Sequence, residues 1–428
     1  MNYIHHLSSP ATKSELDLFS VMATNTAIEE AYDVQTFPTS SIANTRTYEF
    51  NVNSSDDFTD LDSIYVSLKC KVTKADGTAL AAARPAQDAD QKLEFSPVNN
   101  FANSLFQQVD VYLSNINVNS ANNLYPFRSF LDLSMNYFKY NNYETYMYDQ
   151  EQDRKERIEL SKNVSLYFKL HCDIFQQPKL LLNHVPMTIR LTRSSDTFPL
   201  VTIGTHTNQP KITVSHISLF VKRVKLFPNT QEAIAIALQK SPANYFLNRI
   251  VVKSFVINQG ISSETIENMY SGQLPRKMLV CFLKTDAFSG SISAQPFDFA
   301  HNNISYIVAT SEGRMYPSIP YTPKFDEDRD YAREFHNLYK YTGNDTGVPR
   351  LTISYKTFKD RRCIFAFLFV SDEHVGANSG ALDLQRRGNV RIQIKFSQAT
   401  PTPLHMITYA EFDNILSIDQ DRNVTTDF

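Results

Sequence analysis

The 428-residue chain contains no tryptophan, only 11 glycines and only 4 cysteines. Glycine stands far below its usual share of about 7%, which excludes collagen-like and glycine-linker sequences. The cysteines lie about a hundred residues apart and form no CxxC pair. We therefore expect buried, reduced thiols at Cys70, Cys172, Cys281 and Cys363, and neither disulfides nor a zinc site.

Long apolar runs are also lacking. No run approaches the ~18 residues needed to cross a bilayer, so we expect no membrane span. The first residues have no positively charged region followed by an apolar one, which argues against a signal peptide. Synthesis inside a cell, in a reducing compartment, is the expectation.

A surplus of positive charge is absent too. Lys and Arg number 42, Asp and Glu number 45, and the net charge is -3. Proteins that coat DNA gain affinity from an excess of cations, so histone-like or sequence-specific DNA binding is excluded. Three basic clusters remain, at residues 222–225, at residues 359–362, and at Arg386 and Arg387 with Arg391. Each fits a solvated face, a weakly basic surface facing nucleic acid, or a subunit contact.

Sequence motifs of catalysis are missing as well. The chain has no GxGxxG, GxxxxGK[ST], HExxH or GxSxG. His5 and His6 are the only adjacent histidines, and two ligands are too few for a closed metal site. The acidic residues at 326–330 are interspersed with Lys324, Arg329 and Arg333, which favours a solvated loop over a cation site. We predict no catalytic residue, no cofactor-binding residue, no metal ligand and no cofactor, hence a protein that is not an enzyme.

The residue types that are abundant in the chain favour β-strands. Phe and Tyr number 30 and 22, and with Val, Ile and Thr they pack well on a pleated surface. Twelve runs of alternating or continuous apolar residues predict strands. They are residues 47–52, 64–72, 109–113, 164–170, 187–191, 217–226, 249–257, 277–283, 304–308, 363–370, 390–396 and 406–412.

One helix interrupts this series at its midpoint. Residues 230–240 are rich in helix formers and end at Ser241-Pro242. The chain is too long for one ordinary domain, and sequential strands predict an all-β fold of two antiparallel sandwiches, of which the eight-stranded jelly roll is a common form. The predicted parts are an N-terminal arm (1–44), a first sandwich (45–228), a helical linker (229–243), a second sandwich (244–416) and a C-terminal tail (417–428). Long connections at 75–92, 139–160 and 324–348 are places where function is expected.

Short stretches in a fixed order carry a further signal. They include SELDLF (14–19), TNTAIE (24–29), PVNNFANSLFQQVDV (97–111), NNLYPFR (122–128), LLLN (180–183), FVKRVKL (220–226), GQLP (272–275), DAFSGS (286–291), PFDF (296–299), RGNVRI (387–392) and YAEFDN (409–414). Together they resemble the major capsid protein of Polinton/Maverick elements and adintoviruses, and the resemblance spans essentially the whole chain.

That resemblance implies a double jelly roll, two eight-stranded sandwiches side by side with a short connecting helix. It implies a structural role in a dsDNA virus: pseudo-hexagonal homotrimers that tile an icosahedral capsid. The implied partners are neighbouring capsid trimers, a single jelly-roll penton protein and, weakly and non-specifically, packaged DNA. The implied location is the virion, with assembly in the nucleus. The long loops are expected on the outer surface, and the arm and tail underneath.

Three alternatives stay open at this point. A receptor- or carbohydrate-binding β-sandwich predicts a monomer or small oligomer with an aromatic platform, although the lack of tryptophan argues against sugar stacking. A β-rich hydrolase predicts a deep pocket with titratable groups of perturbed pKa. A minor capsid or penton protein predicts one jelly roll, which the length of the chain does not favour.

Overall fold

The structure, a computed structural model, describes most of the chain. The described residues are 7, 14–16, 18, 19, 21, 23–43, 45–83, 93–119, 122–135, 151–202, 208–326, 329–343, 353–371, 382, 384 and 386–427. The histidine pair of the arm and parts of the three long connections (84–92, 139–150, 327–328 and 344–348) lie outside them.

Strands dominate the described residues. They are β1 (Ile28–Thr36), β2 (Thr47–Val52), β3 (Phe58–Lys74), β4 (Phe95–Pro97), β5 (Phe106–Leu113), β6 (Ile116–Asn117), β7 (Asn163–Lys169), β8 (Met187–Arg193), β9 (Leu200–Thr202), β10 (Pro210–Leu226), β11 (Ala243–Ile257), β12 (Ser263–Gln273), β13 (Lys277–Lys284), β14 (Ile304–Ser311), β15 (Arg314–Tyr321), β16 (Ile364–Leu368), β17 (Arg387–Phe396), β18 (Leu404–Ile418) and β19 (Val424–Thr426). All twelve predicted strands are confirmed, although β3, β10, β11 and β18 extend six or seven residues beyond the predicted ends.

Seven α-helices accompany the strands in the described part. They are α1 (Phe101–Ser104), α2 (Tyr125–Met135), α3 (Glu151–Ile158), α4 (Pro228–Lys240), α5 (Thr285–Phe288), α6 (Ala332–Tyr341) and α7 (Tyr355–Arg361). Helix α4 confirms the helix predicted at the midpoint of the chain. Short 3-10 turns occur at Ser14–Leu16, Glu159–Ser161 and Asp173–Gln176.

The strands form two sandwiches with the same topology. The first pairs a β1-β10-β3-β7 sheet with a β2-β8-β5-β6 sheet, and the second pairs a β11-β18-β13-β16 sheet with a β12-β17-β14-β15 sheet. If the strands are counted within each sandwich, leaving out the short pair β4-β9 and the appended β19, both have the orders 1-8-3-6 and 2-7-4-5. Eight antiparallel strands in this arrangement are a jelly roll, so the predicted double jelly roll is confirmed.

Alternating side chains explain why these runs become strands. In β3, Ile64, Val66, Leu68, Cys70 and Val72 are all fully buried, while the residues between them face outward. The strand ends at the turn that Asp76-Gly77 predicts, where the glycine has φ +86° and its N–H donates to the Lys74 carbonyl at 2.9 Å. Period-two burial of this kind fixes which face of each sheet enters the core.

The arm and the tail differ from the prediction. Residues 28–36, which we assigned to the arm, form β1 and complete the first sandwich, with Val34 paired to Val221. Residues 424–426 of the predicted tail form β19, which pairs with β18. The side chains of β1 are almost all exposed, so no apolar alternation marked it as a strand. The other domain boundaries stay predictions.

Two of the long connections contain helices instead of loops alone. Helix α3 lies in the 139–160 connection, where its Arg154 Nε donates to the Pro97 carbonyl at 2.9 Å. Helix α6 lies in the 324–348 connection and buries Leu338. Helix α2 was also missed: all eleven of its residues are buried, including the polar Arg128 and Asp132, so they do not form the exposed polar face of an ordinary amphipathic helix.

Candidate functional surfaces

The described residues do not gather into a catalytic or metal-binding group. Within them, no cluster of three or more His, Cys, Asp or Glu side chains could hold a metal ion. In the predicted acidic loop, Lys324 and Asp330 pair through their backbones, with the Lys324 N–H donating to the Asp330 carbonyl at 2.9 Å. All four cysteines are buried and free, and burial raises the pKa of the Cys70 and Cys172 thiols to about 12. The predicted reduced thiols are confirmed, and their high pKa values make them poor nucleophiles.

Helix α2 forms the centre of a junction between the two sandwiches. It follows Asn122, whose side-chain amide donates to the Val252 carbonyl of β11 at 2.7 Å. Inside the junction the guanidinium of Arg128 lies 2.5 Å from the Asp173 carboxylate, and that carboxylate also accepts from the Ile250 N–H at 3.1 Å. One buried ion pair therefore joins a helix and a loop of the first sandwich to the backbone of the second.

A second buried polar group lies on the same helix. Asp132 contacts the ring of His171 at 2.8 Å and accepts from the Tyr409 hydroxyl of β18 at 3.2 Å. Burial lowers the pKa of His171, although its hydrogen bond to Asp132 opposes this. Burial alone would also lower the pKa of Arg128, but the nearby carboxylate of Asp173 outweighs it and raises that pKa. These titratable groups contact one another and the second sandwich, so we infer that they hold the junction together.

Aromatic side chains fill the rest of the junction. Phe130 stacks on Phe297 with ring centroids 4.4 Å apart, and Phe127 stacks on Phe288 at 5.5 Å. Arg362 lies over the Phe130 ring at 4.7 Å. Buried aromatic pairs contribute large contact areas with defined geometry, so the two sandwiches are fixed side by side as one unit.

The C-terminal segment closes the junction from another side. The Arg422 guanidinium donates to the backbone and side-chain oxygens of Asn183 at 2.8 and 2.7 Å. The Arg422 carbonyl accepts from the Ser114 hydroxyl at 2.9 Å. Residues just before β19 therefore bind the first sandwich of their own chain.

The three basic clusters are neutralised in part by nearby acids. Lys222 lies 3.7 Å from Asp60, and Lys225 lies 3.1 Å from Glu29, whereas Arg223 is buried and donates to the Thr59 hydroxyl. In the second cluster, Arg361 and Arg362 both lie 4.0 Å from Asp298. In the third, Arg391 lies 3.5 Å from Glu267, while Arg386 and Arg387 are exposed. The described surface thus carries scattered cations and no broad basic patch at these sites.

Exposed apolar side chains are concentrated in a few places. Edge strand β1 exposes Ile28, Tyr32 and Val34, and edge strand β15 exposes Met315 and Ile319. A further patch lies on the outer face of the first sandwich, where Tyr167 stacks on Tyr65 at 5.1 Å and meets Phe220 at 5.7 Å. Apolar surface of this kind on sheet edges and faces is typical of interfaces between chains. Only the fold places these three residues together.

No helix in the described residues combines the length and apolar character required to span a bilayer.

Comparison with known proteins gives a distant match in sequence and a full-length match in structure. No family model matches the chain. An uncharacterized protein of Caenorhabditis elegans is 21% identical over 397 residues, which are 88% of this chain and 91% of that protein. The cryo-EM structure of the Sputnik virophage matches with a TM-score of 0.62 and 11% identity, over 100% of this chain and 94% of that chain.

Two further solved structures are also similar to this chain over nearly its full length. The quasi-atomic model of the PBCV-1 virus capsid has a TM-score of 0.60 and 11% identity, over 96% of this chain and 99% of that chain. The crystal structure of the mavirus major capsid protein has a TM-score of 0.55 and 10% identity, over 100% and 96%. At such identities the likeness concerns the fold alone. This chain has the double jelly-roll fold that these viral capsid proteins also have.

Proposed function

We propose that this chain is a major capsid protein whose homotrimers have a pseudo-hexagonal outline and tile an icosahedral shell around double-stranded DNA. The observation that carries the proposal is the presence of two sandwiches with the same strand order. Buried contacts hold the two sandwiches side by side. Three such chains around an axis present six similar sandwiches, and six similar bodies around an axis pack as a hexagon.

The junction supports this role because a shell subunit must keep its two sandwiches in a constant arrangement. The contacts of Asp173, Asp132 and Phe130 all cross from the first sandwich to the second. Obligate interfaces between subunits commonly bury more than about 2,000 Å². The tyrosine patch around Tyr167 and the apolar edges β1 and β15 are the surfaces that trimer contacts would cover.

The proposed lineage is that of Polinton/Maverick elements and adintoviruses. Its support is the ordered set of sequence stretches, together with a sequence relative in an animal, a nematode. The proposed partners are neighbouring trimers and a single jelly-roll penton protein. Contact with packaged DNA is proposed to be weak and non-specific, since acids pair with part of each described basic cluster and the net charge is -3. Assembly in the nucleus and residence in the virion complete the proposal.

The first experiment is the mass and shape of the purified protein. Light scattering should give about three times the chain mass of 48.9 kDa, and negative-stain microscopy should show hexagonal particles or closed shells. Replacing Tyr167 by Glu should reduce the trimer fraction, whereas the matched change Tyr306→Glu, away from this patch, should not. A stable monomer across salt and pH would favour a binding module instead.

A further inference from the structure

Strand β10 has one edge that its neighbours cover only in part. Strand β3 pairs with it from Pro210 to Val224, whereas on the opposite side β1 pairs only from Leu219 to Leu226. Among the described residues no strand pairs with the remaining part of that edge. An uncovered edge offers backbone donors and acceptors to an added strand.

A groove of 630 Å³ lies beside this uncovered edge. Residues 211–215 of β10 form one wall, and the connection after β1, including Phe37 and Ile42, forms the other. The Phe37 side chain is 56% exposed. The groove is large enough for several side chains of an extended peptide.

The backbone of β10 is only partly satisfied along the groove. The Ile212 N–H donates to Asp196 at 3.1 Å and the Ile212 carbonyl accepts from Arg193 at 2.9 Å. Both groups therefore point away from β3. Because backbone direction alternates in an antiparallel pair, the N–H and carbonyl of Val214 point to the same side, into the groove.

The N-terminal arm has the complementary chemistry. Leu16, Leu18, Phe19 and Val21 have exposed fractions of 66%, 75%, 94% and 94%. Four exposed apolar side chains within six residues are unfavourable in water, so a partner surface is expected. The same segment carries Glu15 and Asp17, while the groove carries Lys211, which is exposed and has no ion pair among the described residues.

We propose that residues 14–21 of a second copy of this chain lie in this groove as a strand added to β10. The apolar side chains of the arm cover Phe37, Ile42 and Val214, and its carboxylates approach Lys211. This inference rests on the self-assembly in the proposed function, and it names the segment and the groove that link one chain to the next.

Chain length explains why the occupant comes from another copy. Ile28 pairs with Leu226, and Val214 is twelve positions away along β10, or roughly 40 Å at about 3.3 Å per residue. Val21 and Phe19 are seven and nine positions from Ile28 and reach at most about 25 Å and about 32 Å. The chain's own Phe19 and Val21 therefore cannot enter the groove beside Val214.

Peptide binding tests the groove directly. A fluorescent peptide of residues 13–23 is titrated into protein that begins at residue 23 and keeps β1. We expect saturable binding that weakens about fivefold in Lys211→Glu, as for loss of one surface ion pair, and about tenfold or more with a Phe19→Ala peptide. Lys284→Glu, the same charge reversal at an exposed site outside the groove, should leave binding unchanged. No binding, or equal effects of both lysine variants, overturns the proposal.

Cross-linking tests whether the contact joins two chains. Phe19→Cys and Thr213→Cys are placed in separately tagged chains, which is informative because the four native cysteines are buried. Oxidation of the mixture should give a disulfide between the two tags, and Phe19→Cys mixed with Lys284→Cys should not. The absence of a link contradicts the inference.

The two proposals fail in different ways. Trimers without peptide binding would remove the arm contact and leave the capsid proposal standing. Peptide binding by a full chain that stays monomeric at every concentration would instead remove the capsid proposal.

Discussion

Phe130 lies at the centre of the junction and is fully buried. Its ring stacks on Phe297, meets Phe299 at 6.0 Å and lies under the Arg362 guanidinium. Because both phenylalanine partners belong to the second sandwich, this one side chain contributes to the cohesion of the whole chain.

Replacing Phe130 by Ala should lower the free energy of unfolding by about 3–5 kcal/mol, the usual cost of a cavity left by a buried phenylalanine. The measurement is denaturant unfolding followed by fluorescence. Val256→Ala is the control, since a side chain that is 59% exposed should change stability by less than about 0.5 kcal/mol. Equal effects of the two substitutions would contradict the role assigned to the junction.

His171 gives the protein a pH-dependent stability. Burial lowers its pKa, so the folded chain keeps the ring neutral where the unfolded chain takes up a proton. As pH falls below the usual histidine pKa of about 6.5, stability should therefore decrease, by at most about 1.4 kcal/mol per pH unit for this group.

The check is thermal unfolding between pH 7.5 and pH 5. His171→Gln should reduce the loss of stability in this range, but not abolish it, because burial also lowers the pKa of His301 and His405. If the wild-type protein gained stability on acidification, the predicted direction of this pH dependence would be wrong.

At the scale of elements, β1 shows how sequence analysis can miss a strand. Eight of its nine residues are exposed, so it has none of the alternation that identified β3. It is recognised by its backbone pairing with β10, a partner almost two hundred residues further along the chain. Local sequence carries little information about such a distant pairing.

Two truncated proteins distinguish the contribution of the arm to stability from that of β1. Protein starting at residue 23 should keep its melting temperature within a few degrees, because none of the described residues before 23 belongs to a strand. Protein starting at residue 38 should aggregate or melt at a much lower temperature, because the edge of β10 between Leu219 and Leu226 becomes bare. Thermal unfolding with light scattering reports both. Equal stability of the two truncated proteins would show that β1 is not part of the sandwich.

At the scale of the molecule, the junction makes the two sandwiches interdependent. Strand β18 is buried along nearly its whole length, since one face meets the core of the second sandwich and Tyr409 reaches the first. Neither sandwich can bury this surface without the other.

Residues 1–240 and residues 243–428 expressed separately should therefore be insoluble or bind a hydrophobic dye. The full chain should unfold in one transition in calorimetry, since the sandwiches share their buried surface. Two soluble halves, each with its own sharp transition, would contradict this expectation. A full chain with two separated transitions would contradict it equally.

The pattern of apolar residues in the sequence by itself predicted two kinds of element. These are the elements that bury one face and the strands that form a continuous apolar run. Strands such as β3 and β13 and the linker helix α4 were predicted from their residues, because period-two and helical composition reflect local backbone geometry. The absence of known catalytic motifs likewise could be read from the sequence. The double jelly roll itself followed from a resemblance, and periodicity reached only two antiparallel sandwiches.

Tertiary structure decided what depends on distant pairing. Helix α2 buries all eleven of its residues, including the polar Arg128 and Asp132, so its polar residues do not mark a solvent-exposed face. The Arg128–Asp173 and Asp132–Tyr409 contacts join residues 45 and 277 positions apart, and the groove beside Val214 exists only because β1 ends before β10 does. Such features arise where separate elements meet, and the sequence by itself determined only the elements.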